Sequence, residues 1–199
     1  MTPSARIAGL EDLLGNVLSA RIPMDITAGD WFRNKKYIGS KDRAEIAARL
    51  YRIIRHKARY GWWIEKYLLE KTARNFILVD CVFHDEAAAE RLFSGGGQYA
   101  ATPLNEKETD FLNALSKEKS ITPKEMPIET ALEVPDWADA KLKDRFGDKF
   151  KAEMRAMLEG ASLDLRVNTV LSTIDQAKES LEKGTEMSSK VIQQIGARL

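Results

Sequence analysis

GSKDRAEIAARLYRIIRHKAR, residues Gly39 to Arg59, is the stretch on which the reading of the fold turns. Gly39 interrupts what precedes it. Ser40 has the side chain of a helix N-cap, and Asp42 in the first turn suits the positive end of a helix dipole. At 100° per residue, Ile46, Leu50, Ile53 and Ile54 share one face, and Arg49, Arg52, His56 and Arg59 fall within a stripe about 80° wide on another. This spacing predicts a helix that packs with one side and grips phosphates with the other. Arginine suits the second task because its planar fork donates to oxygens in pairs. Between Trp31 and Tyr60 ten basic residues stand against two acids, so this window carries +8 in a chain of formal net charge +1. A local positive block of this kind is the footprint of a polyanion or a solvated helix face, and charge alone leaves both open.

Outward from that helix the periodicity is helical in both directions. Ile7, Leu10, Leu13, Leu14, Val17 and Leu18 recur at three- and four-residue spacing, which predicts a helix over 3–20 that Pro23 ends. Residues 25–34 (DITAGDWFRN) read as a second helix with Ile26, Trp31 and Phe32 as core candidates. After Arg59, Gly61 marks the expected break, and Trp62, Trp63 and Tyr67 read as core aromatics more readily than as base-stacking platforms. Residues 72–86 and 87–93 are predicted helices, SGGGQYAATPL a loop, and 105–115 a helix capped by Asn105. The three glycines resemble a phosphate loop only loosely, because no Lys-Ser/Thr pair follows them. Residues 116–135 read as a connector. Two more helices follow, over 136–146 and up to Leu158, with Trp137, Leu142, Phe146, Phe150, Met154, Met157 and Leu158 as core. The first 160 residues therefore read as one all-helical domain.

Composition narrows the chemistry. With 44% hydrophobic and 31% charged residues the 199-residue chain has a globular balance. It has no apolar run of about 20 residues and no signal pattern, so a cytoplasmic protein that does not enter a membrane is expected. Its single cysteine, Cys81, excludes an internal disulfide and cysteine-based zinc, and its place in an apolar segment reads as a buried hydrophobe. His56 and His84 are the only histidines and have no metal-ligand spacing.

At Leu163 the period changes. LDLRVNTV alternates Leu163, Leu165 and Val167 with Asp164, Arg166 and Asn168, which predicts a strand with one buried face. TIDQAKESLEKG reads as a helix ending at Gly184, with Ile174, Ala177 and Leu181 inward, and 185–199 as one or two short strands. The fold class expected is mainly α: a helical bundle over 1–160, then the beginning of a small α/β subdomain over 161–199. These few elements would leave apolar surface uncovered, so the second domain is expected to continue beyond them.

Three stretches carry a family resemblance. FRNKKYIGSKDRAEIAARLYRIIR, PDWADAKLKDRFG and LDLRVNT with the following helix resemble segments in the N-terminal half of the bacterial RsmB (Sun/Fmu) type of rRNA 5-methylcytosine methyltransferase. GTEMSSKVIQQIGARL resembles the family's next segment, and the likeness covers nearly the whole chain. It implies a NusB-like bundle, rRNA as partner, and a separate methyltransferase domain holding S-adenosylmethionine and the catalytic cysteines. No catalytic or cofactor residue transfers to this sequence, and the chain is expected to be inactive alone. The resemblance gives an RNA-contact role to Arg43, Arg166 and Asn168, beside Arg49, Arg52 and Arg59 from the helical stripe. Two alternatives stay open: a stand-alone NusB-like RNA-binding protein of antitermination or rRNA maturation, and an interaction domain whose basic stripe is only solvated surface.

Overall fold

The computed structural model describes residues 1–84, 89–159 and 165–184. They are mainly helical, with no strand among them. The chain divides into two units, Met1–Leu158 and Glu159–Leu199.

The first unit begins with α1 (Pro3–Ser19). Thr2 caps it by accepting the Ala5 amide at 3.2 Å, and Pro3 occupies a position whose missing amide costs nothing. Ile7, Leu10, Leu13 and Leu14 point into the core, as their spacing predicts. In α2 (Met24–Asn34), Ala28 and Trp31 are buried. Ile26 is half exposed rather than core, because two residues from Met24 and from Ala28 is the opposite side of a helix.

α3 (Ser40–Arg55) buries Ile46, Leu50 and Ile53. Gly39 holds the cap position, and no side-chain cap bond forms there. The expected break at Gly61 lies five residues earlier. His56, at φ −110° and ψ 23°, separates α3 from α4 (Lys57–Lys66), and Gly61 is buried inside α4. A Cβ on Gly61 would come within 3.2 Å of the Lys71 side chain, so the glycine serves close packing. α5 (Ala73–His84) lies against α1 and α4, and α1 also packs on α3. Trp63, Tyr60, Leu50, Ile53 and Ile77 are fully enclosed at this junction. Trp63 also donates its indole N–H to the Ile121 carbonyl at 3.0 Å, so the aromatic segment is core as expected.

α6 (Ala89–Leu92) packs against α1 and α5, and α7 (Glu106–Leu115) against α5. Asn105 and Glu108 form a capping box on α7, satisfying two amides reciprocally. The connector contains one more helical turn, α8 (Ile128–Ala131), followed by α9 (Asp136–Phe146) and α10 (Phe150–Leu158). Leu132, Val134, Phe150 and Met154 make a second small core. Trp137 and Met157, expected in it, are 82% and 71% exposed. The inward row of α9 is Ala138, Leu142 and Phe146, a step of four that leaves Trp137 one residue off the face. Met157 lies a turn beyond Met154, past the edge of the cluster.

In the second unit the predicted strand is corrected. Leu163 and Asp164 lie outside the described residues, and 165–168 are irregular. The alternation survives, with Leu165 and Val167 half-buried and Arg166 and Asn168 exposed. What is missing among the described residues is a neighbouring strand to complete the ladder, and Asn168 turns the chain instead. Its Oδ1 accepts the Val170 amide at 3.1 Å and its carbonyl accepts the amides of Leu171 and Ser172. The predicted helix is present as α11 (Ile174–Gly184), opened by Thr173 and Gln176 exchanging side-chain and backbone hydrogen bonds. Of its expected inner face, Ala177 and Leu181 are half-buried and Ile174 is exposed. The strands expected over 185–199 lie outside the described residues.

Candidate nucleic-acid interface

The arginine stripe of α3 and α4 turns inward. Arg52 grips Asp80 of α5 with both arms of its fork, Nε to Oδ1 at 2.7 Å and Nη2 to Oδ2 at 2.6 Å. Arg49 approaches the same carboxylate at 3.7 Å, and Tyr60 donates its hydroxyl to it at 3.0 Å. Asp80 is completely buried. A carboxylate so enclosed is tolerable only when paired and hydrogen-bonded, and these donors meet that demand. Burial, together with the adjacent Asp80 charge, pushes the Tyr60 hydroxyl well above the ordinary phenol range, so it stays a donor.

Arg59 is also occupied. Its Nε donates to the Ala131 carbonyl at 2.9 Å and lies 3.6 Å from Glu133. Glu133 itself accepts the amides of Ala58 and Arg59 at 2.7 and 3.0 Å. It thereby caps the start of α4 from a site more than seventy residues away, a negative charge at the positive end of a helix. Glu133 holds a φ of +55°, the left-handed region that non-glycine residues seldom adopt. Burial pushes its carboxyl above the usual range, against the pull of those amides and of Arg59.

His56 lies within the field of Asp80 and Arg59, its ring stacked on His84 at 5.5 Å and 4°. Burial first, then the positive charges of Arg59 and His84, push its pKa down to about 4. Its Nδ1 is buried without a hydrogen-bond partner among the described residues, and the imidazole is neutral at pH 7.

Of the remaining expected contacts, Arg43 donates to the carbonyls of Ile38 and Lys35, tying down the turn before α3. Asp42 pairs with Arg6 and the amino terminus rather than with Arg43. Arg166 and Asn168 are exposed in the second unit. The structure thus turns Arg49 and Arg52 onto Asp80 and Arg59 onto Glu133, acids of the same chain.

Which cations then face outward? Arg33 pairs with Asp30 and Lys35 with Asp12. Lys36, Lys41, Arg55 and Lys57 are exposed and make no ion pair among the described residues. Lys41, Ala44, Ala48, Tyr51 and Arg55 recur every three or four residues, so the outer stripe of α3 is a smooth row about 21 Å long with a cation at each end. Tyr51 is 47% exposed in its middle, and Tyr37 is 73% exposed just before the helix. Glu45, beside the row, is engaged by Arg6 at 3.0 Å.

The sequence did contain a signal for the inward pairing: Asp80 interrupts the apolar run NFILVDCVF, and a carboxylate in such a run demands a buried cation. Glu133 gave no comparable signal. Cys81 is buried in α5, as its apolar surroundings in the sequence predict. Among the described residues there is no cluster of His, Cys, Asp and Glu fit to hold a metal, and no helix long and apolar enough to cross a membrane. No family model, curated protein or solved structure matches the chain.

Proposed function

We propose that this chain is an RNA-binding helical module, the substrate-positioning part of an S-adenosylmethionine-dependent rRNA cytosine-5 methyltransferase. The observation that carries the RNA reading is the outer row of α3. Lys41 and Arg55 at the ends of that row, with Lys36 before the helix and Lys57 after it, are four exposed cations without ion-pair partners among the described residues, and Tyr37 and Tyr51 stand exposed between them in the sequence. Cations interleaved with open aromatic faces suit a phosphate backbone with bases beside it. The inward arginines support the same reading indirectly, by holding α3 rigidly against α5 so that the outer row has a fixed geometry.

The methyltransferase part of the proposal rests on the resemblance of FRNKKYIGSKDRAEIAARLYRIIR, PDWADAKLKDRFG and LDLRVNT. It takes the first unit for a NusB-like bundle and the second, with Arg166 and Asn168 exposed, for part of an RNA-binding subdomain. The chemistry and the cofactor belong to the catalytic domain that the resemblance implies. In this scheme the module supplies phosphate contacts and shape recognition while another domain captures the target base.

A filter-binding titration of rRNA fragments at increasing salt tests the RNA reading. If several phosphates are neutralised, log K should fall steeply with log salt, by about 0.7–0.9 for each of them. Weak binding that is insensitive to salt would refute it and favour the interaction-domain alternative.

A further inference from the structure

Bordered by Tyr37, in the turn before α3, is a concavity of about 530 Å³, inside the size range of small-ligand sites at about 300–1,000 Å³. Its walls come from three places in the sequence: the start of α1, the turn before α3 and the glycine-rich loop. Tyr37 and Tyr99 both line it, 73% and 74% exposed, with Gln98, Thr2 and Met1. Gly95 and Gly96, at φ +72° and +93°, let the loop fold back, and a Cβ on Gly95 would come within 3.0 Å of Pro103. The loop resembles a phosphate cradle only loosely in sequence, and in the fold it presents a tyrosine.

We infer that this concavity is a site for one unstacked RNA base, stacked on Tyr37 and Tyr99. The inference rests on the RNA reading above and names the form of RNA. A lone exposed tyrosine means little. Here two, more than sixty residues apart in sequence, open onto one cavity. Neither ring stacks on another aromatic, and neither hydroxyl is hydrogen-bonded, among the described residues. The walls are mostly apolar and include no lysine, arginine or acid, and the Met1 ammonium is paired with Asp42, which suits the face of a base better than a phosphate. Edge contacts are at hand. The Gln98 amide makes no hydrogen bond among the described residues and offers a donor and an acceptor side by side. Thr2 accepts the Ala5 amide, which leaves its hydroxyl proton to donate.

The flanking phosphates have places too. Lys36 precedes Tyr37 in the chain. On the other side an adjoining cavity of about 360 Å³ shares Thr2, Gly97 and Ala100 and gives the strand a continuing path along the glycine-rich loop. Asp42, which meets the amino group of the wall residue Met1, has its two oxygens engaged by that group and by Arg6. Only a base outside a duplex can present its face to such rings, so the site distinguishes single-stranded RNA and loops from paired RNA.

Anisotropy titrations of a short labelled single strand and of a duplex of the same sequence test this, with Tyr37→Ala, Tyr99→Ala and the two Tyr→Phe variants. Both positions are mostly exposed, and circular dichroism checks that each variant folds. The expected result is a loss of about fivefold or more in single-strand affinity for each alanine variant, in line with the known worth of base–aromatic stacking. Duplex binding should not change, and both phenylalanine variants should stay within about twofold of the parent. Single-strand binding that is unchanged in both alanine variants overturns the base site and leaves the RNA reading standing. Absence of binding to either RNA overturns both.

Discussion

Two sets of cations share one helix and do different work. Arg49 and Arg52 turn toward α5 and neutralise Asp80, which also accepts the Tyr60 hydroxyl, and Arg59 on α4 faces Glu133. Lys41 and Arg55, on the other side of α3, face solvent around Tyr51. By charge and residue type the inner set is the better phosphate grip, since arginine forks bind anions in pairs. In the fold those forks are already taken by carboxylates of the same chain. What remains for an outside partner is the plainer set. A basic amphipathic helix therefore cannot be read as a polyanion site until the acids of the neighbouring helices have been assigned to its cations.

The sharpest way to break this contrast is to remove the acid at its centre. Asp80→Ala should cost about 3–5 kcal/mol in urea unfolding, because the enclosed carboxylate that Arg49, Arg52 and the buried Tyr60 hydroxyl share is removed from among them. Alanine at Arg49, Arg52 and Arg59 together should cost more and abolish cooperative unfolding. The sequence alone leads to the opposite expectation, that this triple change would leave the fold intact and weaken only RNA binding. An unchanged urea midpoint in Asp80→Ala would show that the network is not structural.

Glu133→Ala comes next, at about 1–3 kcal/mol, since the Ala58 and Arg59 amides would lose their acceptor in a partly buried place. The same urea experiment measures it.

A smaller effect should appear with pH. An unfolded His56 takes a proton near 6.5, and the folded one only near 4. Between these values the unfolded chain binds more protons, so stability should fall as pH drops from about 6.5 to about 4. His56→Gln should flatten that part of the profile, and an equal slope in the variant would remove His56 from the account. The smallest effect on stability belongs to the outer set: Lys41→Ala and Arg55→Ala should leave the urea midpoint where it is.

Much of the fold was legible because helices announce themselves locally. α1 could be read from its leucine spacing, α7 from Asn105 and Glu108, and α11 from Thr173 and Gly184. The failures came where a distant partner decides. Gly61 looked like a break, but the break is at His56, where Glu133 supplies the acceptor that lets α4 begin anew. Trp137 looked like core because it is large, yet one residue of helical phase leaves it in solvent. Residues 165–168 have the alternation of a strand, but alternation supplies one side of a ladder and not the other. The candidate site failed in the same way. Periodicity put Arg49, Arg52 and Arg59 on one continuous stripe, but the break at His56 leaves Arg59 on α4, and no local pattern connects the acids that claim them, Asp80 and Glu133, to these helices.

The central claim is that the outward cations, not the inward arginines, make the RNA footprint. A salt titration of rRNA-fragment binding by Lys36→Ala/Lys41→Ala/Arg55→Ala/Lys57→Ala, compared with the parent chain, tests it most directly. If those residues meet phosphates, affinity falls and the slope of log K against log salt becomes shallower by about 0.7–0.9 for each phosphate no longer neutralised, with the urea midpoint unmoved. An affinity and slope equal to the parent's in the folded variant would contradict it.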